Sequence, residues 1–455
     1  MIHQLRLAVV PAYLLLCLLL GGASAAGIWA NLALQLIGLV LIVYALSVQR
    51  RTPVATPGRQ IVAVATIALL LLALQLVPLP PSVWTALPGR EPIARGFALI
   101  GQPLPWLPVS LSPVDTRAAL LWTIPSLAVL LGIVKLGGYK ASWLGWILVG
   151  VAVTSVAIGA LQVAGADWYF YEISNFGAGT GFFANANHQA TLLVATIPFL
   201  SALYLIGRGR QQSAQRSSGL LVILAGVLMV LVVGLAINGS LAGLGLAVSV
   251  IGGSVLMLWS RRRRPPVWAA ALALLVVAGA VYLPFSAPIG SNNLTSAEAQ
   301  TSQYSRRTTI GTTLDAARDF LPFGAGLGTF VEVYRTYEDP TRIERTFINR
   351  AHSDYAEFFL EAGLVGVLIV ALFLFWWLWR LLAVWRAEKP DHIARAASIA
   401  TAAILAHSLV DYPLRTAAIG ALFAACCALM AEPRPRAQRG EEPEPANKAR
   451  HLSAD

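Results

Sequence analysis

Twelve mostly apolar stretches, most close to 20 residues long, run through this chain of 455 residues. They lie near 8–25, 28–47, 61–79, 118–137, 142–164, 186–206, 219–237, 240–259, 267–285, 362–385, 396–411 and 416–431. A bilayer's hydrocarbon core is about 30 Å thick and takes about 20 residues of helix to cross. Inside lipid every backbone polar group must be bonded within its own segment, so repeated stretches of this length fold as helices. Composition agrees: 57% of residues are hydrophobic and 12% charged. A soluble globular chain carries about a quarter charged residues, and a disordered one lacks the apolar content. The three cysteines, Cys17, Cys426 and Cys427, all sit in apolar runs and read as core residues, not as a disulfide framework. The expected fold is an all-α polytopic membrane protein with about 12 transmembrane helices and one large, partly helical periplasmic loop.

The formal charge is +11, which raises nucleic acid as a partner. The placement of the charge argues against it. With a cytoplasmic N-terminus, the cytoplasmic segments hold 22 of the 33 Lys and Arg residues, including Arg261 to Arg264, and only 7 of the 22 acidic ones. That is the asymmetry that orients membrane proteins, and every short loop on that side follows it. Both termini are then cytoplasmic. Arg6, an apolar run and Ala23-Ser24-Ala25 also fit a cleaved signal peptide. We read the first helix as retained, because another span starts immediately after it. The chain divides into helices 1–9 over 1–285, the periplasmic loop over 286–361, helices 10–12 over 362–431, and a Pro- and charge-rich tail over 432–455 that reads as disordered.

On the outer side, 80–117 is rich in Pro and Trp and reads as interfacial. Residues 165–185 carry Trp168, Tyr169, Phe170 and Tyr171, an aromatic belt. The 286–361 loop is large enough for a small folded cap. Within it Ile310, Leu314, Ala317 and Phe320 or Leu321 recur at helical spacing, with Thr308 or Thr309 as a cap. Then comes a Gly-rich stretch, Pro322 to Phe330. No Gly-Lys-Ser/Thr follows and no strand precedes it, so it reads as a sharp reversal, not a phosphate loop.

The loop's arginines are Arg306, Arg307, Arg318, Arg335, Arg342, Arg345 and Arg350. A guanidinium offers a planar donor fork matched to phosphate oxygens; pairing with the loop's own acidic residues is the other reading. His352 stands where the loop re-enters the membrane. A helix start there favours the neutral imidazole, while Asp354 opposes it. Glu357 and Glu361 share one helix face. Asn187 and His188 open the sixth span, and polar groups at membrane depth are costly unless paired or functional. His407 and Asp411, four apart, read as a hydrogen-bonded pair. The sequence shows no metal-ligand constellation.

Taken in order, Gly181-Phe182-Phe183-Ala184-Asn185-Ala186-Asn187-His188, Arg307 fifteen residues before Pro322, Gly324-Ala325-Gly326-Leu327-Gly328-Thr329-Phe330, and Ala351-His352-Ser353-Asp354-Tyr355 followed by Glu361-Ala362-Gly363 resemble the O-antigen ligase and O-antigen polymerase family of bacterial inner-membrane glycan transferases, which includes exopolysaccharide polymerases. The resemblance implies a glycosyltransferase that uses a glycan on an undecaprenyl diphosphate carrier. The acceptor is another lipid-linked repeat unit for a polymerase, or lipid A core for a ligase. No metal, cofactor or nucleic acid is implied; the partners are membrane lipids, the two glycan substrates and polysaccharide assembly proteins. His352 matches the family's loop histidine, a general base, and Arg307 the arginine used on the diphosphate. Arg306, Arg350, Arg415, Asn187, Asp354 and Tyr355 are the further candidates for holding diphosphate or glycan. One position departs: where many members carry an arginine at the start of the eighth span, this chain has Leu241. Arg306, Arg350 or Arg415 would replace it, and the departure leans toward a polymerase. The alternative is a transporter or flippase of lipid-linked glycans. It would place charge mid-membrane and show related halves, and neither is visible.

Overall fold

The computed structural model describes residues 2–24, 28–48, 53–137, 141–210, 214–258, 296–342 and 348–432. The expected span at 267–285, Arg261 to Arg264, Arg345 and the tail from 433 lie outside these residues. In chain order the longer helices are α1 (Ile2–Leu20), α2 (Trp29–Ser47), α3 (Thr56–Ala73), α4 (Glu91–Leu99), α5 (Pro113–Leu121), α6 (Ile124–Leu131), α7 (Ala141–Val163), α8 (Ala186–Arg210), α9 (Ala214–Asn238), α10 (Leu241–Leu258), α11 (Ser296–Arg318), α12 (Phe330–Tyr337), α13 (Asp354–Arg386), α14 (His392–His407) and α15 (Ala417–Ala431). The described residues are helical, with one isolated β-bridge between Leu79 and Leu107. Among them, 8 helical segments are long and apolar enough to cross a membrane, and Leu7–Leu20 and Ala417–Ala431 are shorter apolar helices.

The central helices are α8, α14 and α15. Along α8, Leu192, Leu193, Ala195, Phe199 and Ala202 are fully buried, and α15 buries nearly every residue, Cys426 and Cys427 included. Small residues let these backbones approach closely, as helices in lipid require. α1 contributes Val10, Tyr13, Leu14, Cys17 and Leu18 to the same core. The outer ring looks different. Leu32, Val40, Leu70, Val222 and Phe375 leave their apolar faces open, which suits a lipid solvent.

The large loop has its own apolar core of Ala316, Ala317, Phe320, Ala325, Phe330, Val333, Tyr334, Ala351 and Leu360. It is therefore a folded cap. α11 starts at Ser296, so Thr308 and Thr309 lie inside it and cap nothing. Its buried face keeps Ala317 and Phe320 of the expected stripe but takes Thr309, Thr313 and Ala316 in place of Ile310 and Leu314, and Leu314 is exposed.

The Pro/Trp segment is more than interfacial. Trp84 is fully buried and donates from Nε1 to the Pro105 carbonyl (2.8 Å). Arg90 stacks on Phe320, 5.6 Å from the ring centroid. The Leu111 amide donates to Ala325 (2.8 Å), and the Thr116 hydroxyl to Leu327 (2.6 Å). This segment thus forms one wall of the cap. The 165–185 loop is likewise folded: Gln162 Oε1 accepts from the amides of Thr180 and Gly181, both at 2.9 Å. Tyr171 ties it to the end of α1 through the Gly22 amide and the Leu20 carbonyl.

Candidate functional site

Cap and membrane helices meet at the start of α13. Ser353 caps that helix by accepting from the Ala356 amide. His352, just before the cap, has a φ of 54°. A non-glycine residue held there costs of order 1–3 kcal/mol and persists only where its surroundings fix it. Here they do. The Ala351 amide donates to Glu357 Oε2 (3.0 Å), and the Asp354 amide donates to the carbonyls of Ser408 (3.0 Å) and Asp411 (3.1 Å). The imidazole is half-buried. Nδ1 is fully buried without a hydrogen-bond partner, whereas Nε2 is not sealed in this way. Burial holds the His352 pKa below the ordinary histidine value; nearby Asp411 and Glu357 raise it and Arg306 lowers it further. The neutral form is therefore favoured, chiefly through burial and not through the helix end.

The carboxylate beside His352 is Asp411, not Asp354. Asp354 turns away: Oδ2 accepts from the Ser408 hydroxyl (2.8 Å) and the Leu414 amide (3.2 Å), and Oδ1 lies 3.6 Å from Arg415 Nε. Asp411 is buried in electrostatic reach of His188, His352, His407 and Arg306. His188 Nε2 is 3.9 Å from Asp411 Oδ1. The rings of His188 and His352 both pack edge-on against Tyr412, at 4.9 and 5.4 Å. Asn185 Nδ2 donates to the Tyr412 hydroxyl (3.3 Å). His407 does not bond Asp411 through its ring; its Nδ1 meets the Thr191 hydroxyl (2.8 Å).

The arginines separate by environment. Arg306 lies on the inward face of α11, half-buried, in electrostatic reach of His352, His407 and Asp411. Arg307, one residue on, is exposed on the outer face with Ile310 and Leu314. Arg415 is engaged by three carboxylates one helix face apart on α13: Glu361 (2.9 Å), Glu357 (3.5 Å) and Asp354 (3.6 Å). Burial alone would lower its pKa, but those carboxylates raise it above the usual arginine value. Arg350 donates to Glu357 Oε1 (2.8 Å) and to the Ser24 carbonyl (2.8 Å), pinning the cap to the end of α1. Both guanidiniums are committed to protein acceptors, which makes a brace of them. Leu241 stands 41% exposed at the start of α10, so no cation occupies that position.

The Gly-rich turn serves the same brace. Its amides are spent: Ala325 on Leu360 (3.0 Å), Gly326 on the Glu361 carbonyl (2.9 Å), Leu327 on Gln75 Oε1 (2.9 Å), and Gly328 on Glu361 Oε1 (2.9 Å). These amides are not available to cradle a phosphate. Two glycines make the fit possible. A Cβ on Gly324 would stand 2.5 Å from the Glu361 carbonyl, and one on Gly363 2.3 Å from the Pro322 carbonyl. Gly363 (φ 55°, ψ −141°) is also where α13 kinks.

Of the remaining candidates, Asn187 sits in the first turn of α8, its amide donating to Asn185 Oδ1 (2.8 Å). Tyr355 donates to the Leu405 carbonyl (3.1 Å), a tether between α13 and α14. The sequence reading did not bring His188, His407, Asp411 and Tyr412 to one place. The available clue was that each is a polar residue at the end of an apolar span. Among the described residues, no group of three or more His, Cys, Asp or Glu is arranged to hold a metal ion.

No curated protein matches the chain. Residues 224–371 match the family model described as O-antigen ligase. That stretch runs from α9 through the cap to the kinked part of α13, and so includes Arg306, Arg307, the Gly-rich turn, His352 and the Glu357/Glu361 face. Over that part of the chain, the match supports the resemblance to the O-antigen ligase and O-antigen polymerase family.

Proposed function

We propose that the chain is a glycosyltransferase of the periplasmic membrane face in a bacterial inner membrane. It moves a glycan from an undecaprenyl diphosphate carrier onto another lipid-linked repeat unit. The observation that carries the reading is His352, fixed in a left-handed backbone where cap and membrane helices meet, half-buried, its neutral form favoured. A neutral imidazole so placed takes the proton of an acceptor hydroxyl, a step worth typically 10²–10⁴-fold. The acceptor oxygen attacks the anomeric carbon, and the bond from that carbon to the diphosphate breaks. Arg307, exposed on the outer face of α11, meets the diphosphate and stabilises its charge as it leaves. Arg306 acts from behind on His352 and Asp411. Arg350 and Arg415, bound to Glu357 and Glu361, position the site and do not contact the diphosphate. Asn187, Asp354 and Tyr355 likewise order the elements around the site. The twelve-helix count, the periplasmic cap and the cytoplasmic termini belong to the same reading.

A second acceptor, lipid A core, is favoured by one observation: the matching family model is described as O-antigen ligase. Purified protein in liposomes, given a lipid-linked repeat unit alone or with lipid A core, separates the two. Polymer from the repeat unit alone supports the first, and product only with core supports the second. Neither product, with intact donor recovered, contradicts transfer.

A further inference from the structure

Behind His352 the described residues gather polar atoms that the transfer reading leaves unused. His188 is 1% exposed, His407 1% and Asp411 1%. His188 Nδ1 and Nε2, His407 Nε2, His352 Nδ1 and Asp411 Oδ2 are all buried without a protein partner. Buried polar atoms in folded proteins are paired in the great majority, so five together from four residues mark a place with a task. They come from separate elements: His188 from α8, His407 and Asp411 from the end of α14 and the turn after it, and His352 from the cap.

The Thr191 hydroxyl lies 2.9 Å from the Asn187 carbonyl and 2.8 Å from His407 Nδ1, and His407 Nε2 is buried without a hydrogen-bond partner. Asp411 Oδ1 accepts from the Tyr412 amide (2.8 Å), leaving Oδ2 free. His352 Nδ1 is also buried without a hydrogen-bond partner, and Asp411 acts on this ring electrostatically.

We propose that His188, His407 and Asp411 form an internal proton path behind His352. The step balances simply. The acceptor O–H bond breaks and an Nε2–H bond forms on His352. The Nδ1–H bond breaks, and that proton passes inward to the Asp411 carboxylate or to a free lone pair of His188 or His407. His188 Nε2 stands 3.9 Å from Asp411 Oδ1, close enough for a small side-chain rotation to pass the proton. After transfer, Nε2–H gives its proton to water or to the departing diphosphate and the inner proton returns to Nδ1, so His352 is regenerated and the path stores one proton for each transfer. Asp411, His407, His352 and Arg350 face His188; Arg306 also faces Asp411, His407 and His352; Glu357 acts on His352. Tyr412 lies between the rings of His188 and His352 as their packing partner. His188, His407 and Asp411 are positioning residues in this scheme, since they act through His352.

The path rests on the transfer reading, so its test has two arms. In the first, the histidines are labelled with nitrogen-15 in the full chain in lipid nanodiscs, and their side-chain resonances are followed against pH. In the wild type, His188 and His352 should titrate as a coupled pair and not as independent groups. His188→Gln and Asp411→Asn should each move the His352 midpoint by about half a unit or more. In the second arm, His188→Gln should lower kcat about tenfold with KM unchanged, and imidazole added to His188→Gly should restore part of the rate. Independent titration in the wild type, together with an unmoved His352 midpoint in folded variants, overturns the path. So does a wild-type rate in His188→Gln. Wild-type protein that makes no product sinks the transfer reading instead, and the titration arm still decides the path. If neither variant folds, the wild-type titration decides it alone.

Discussion

His352 takes its chemistry from burial, and the consequence is a pH dependence of known sign. Burial penalises the imidazolium, so the histidine stays neutral to a lower pH than it would in water. Transfer should be level through neutral pH and fall only below the ordinary histidine value of about 6.5. A pH–rate profile in liposomes checks this, and a fall beginning above that value contradicts it. Arg306 is one of the charges holding the histidine down. Arg306→Ala should therefore move the acid limb upward in pH while the protein stays folded. Arg307→Ala, on the exposed face, should instead cut the rate without moving the limb. Arg307→Lys should recover it only in part, because an ammonium cannot offer a bidentate fork. A rate unchanged by Arg307→Ala would remove that residue from the diphosphate site.

At the scale of elements, α13 determines the site's shape. Asp354, Glu357 and Glu361 fall on one face and close on Arg415, and the Gly-rich turn wedges against the kink at Gly363. Removing one partner from a buried ion pair costs roughly 3–5 kcal/mol. Arg415→Ala and Glu361→Gln should both lower the thermal unfolding midpoint in detergent, and so should Gly363→Ala, which combines a forbidden backbone angle with a backbone clash. A midpoint equal to the wild type in all three would show that the brace carries no load. The sequence made part of this readable. Glu357 and Glu361 four apart announce a shared face, and the glycines announce a tight turn. Their partner could not be read: Arg415 lies more than fifty residues downstream, and nothing in its neighbourhood points back to α13. The stripe on α11 is readable in its second half, where Ala317 and Phe320 are buried, but not in its first, where Thr309 and Thr313 are buried and Leu314, the obvious apolar choice, is exposed.

Across the whole molecule, hydropathy accounts for most of the architecture, because a span in lipid needs length and apolar content before anything else. The apolar runs within the described residues all fall on helices. Hydropathy is silent about convergence. His188, His352 and His407 lie in three distant segments, and only packing brings them to Asp411 and Tyr412. Orientation is testable directly: an alkaline phosphatase fusion near residue 330 should be active, and an inactive one would invert the topology. Chelation is a second test. Transfer should survive EDTA under the proposed role of Arg307 at the diphosphate; loss restored by magnesium or manganese would reveal a site outside this account. The central claim is narrower, that His352 is the base of a glycan transfer. Purified wild-type and His352→Ala proteins, matched for amount and thermal midpoint, should be given the same lipid-linked repeat unit in liposomes. The account predicts polymer and released undecaprenyl diphosphate from the wild type and at least about a hundredfold less from the variant. Equal product from the two would contradict it.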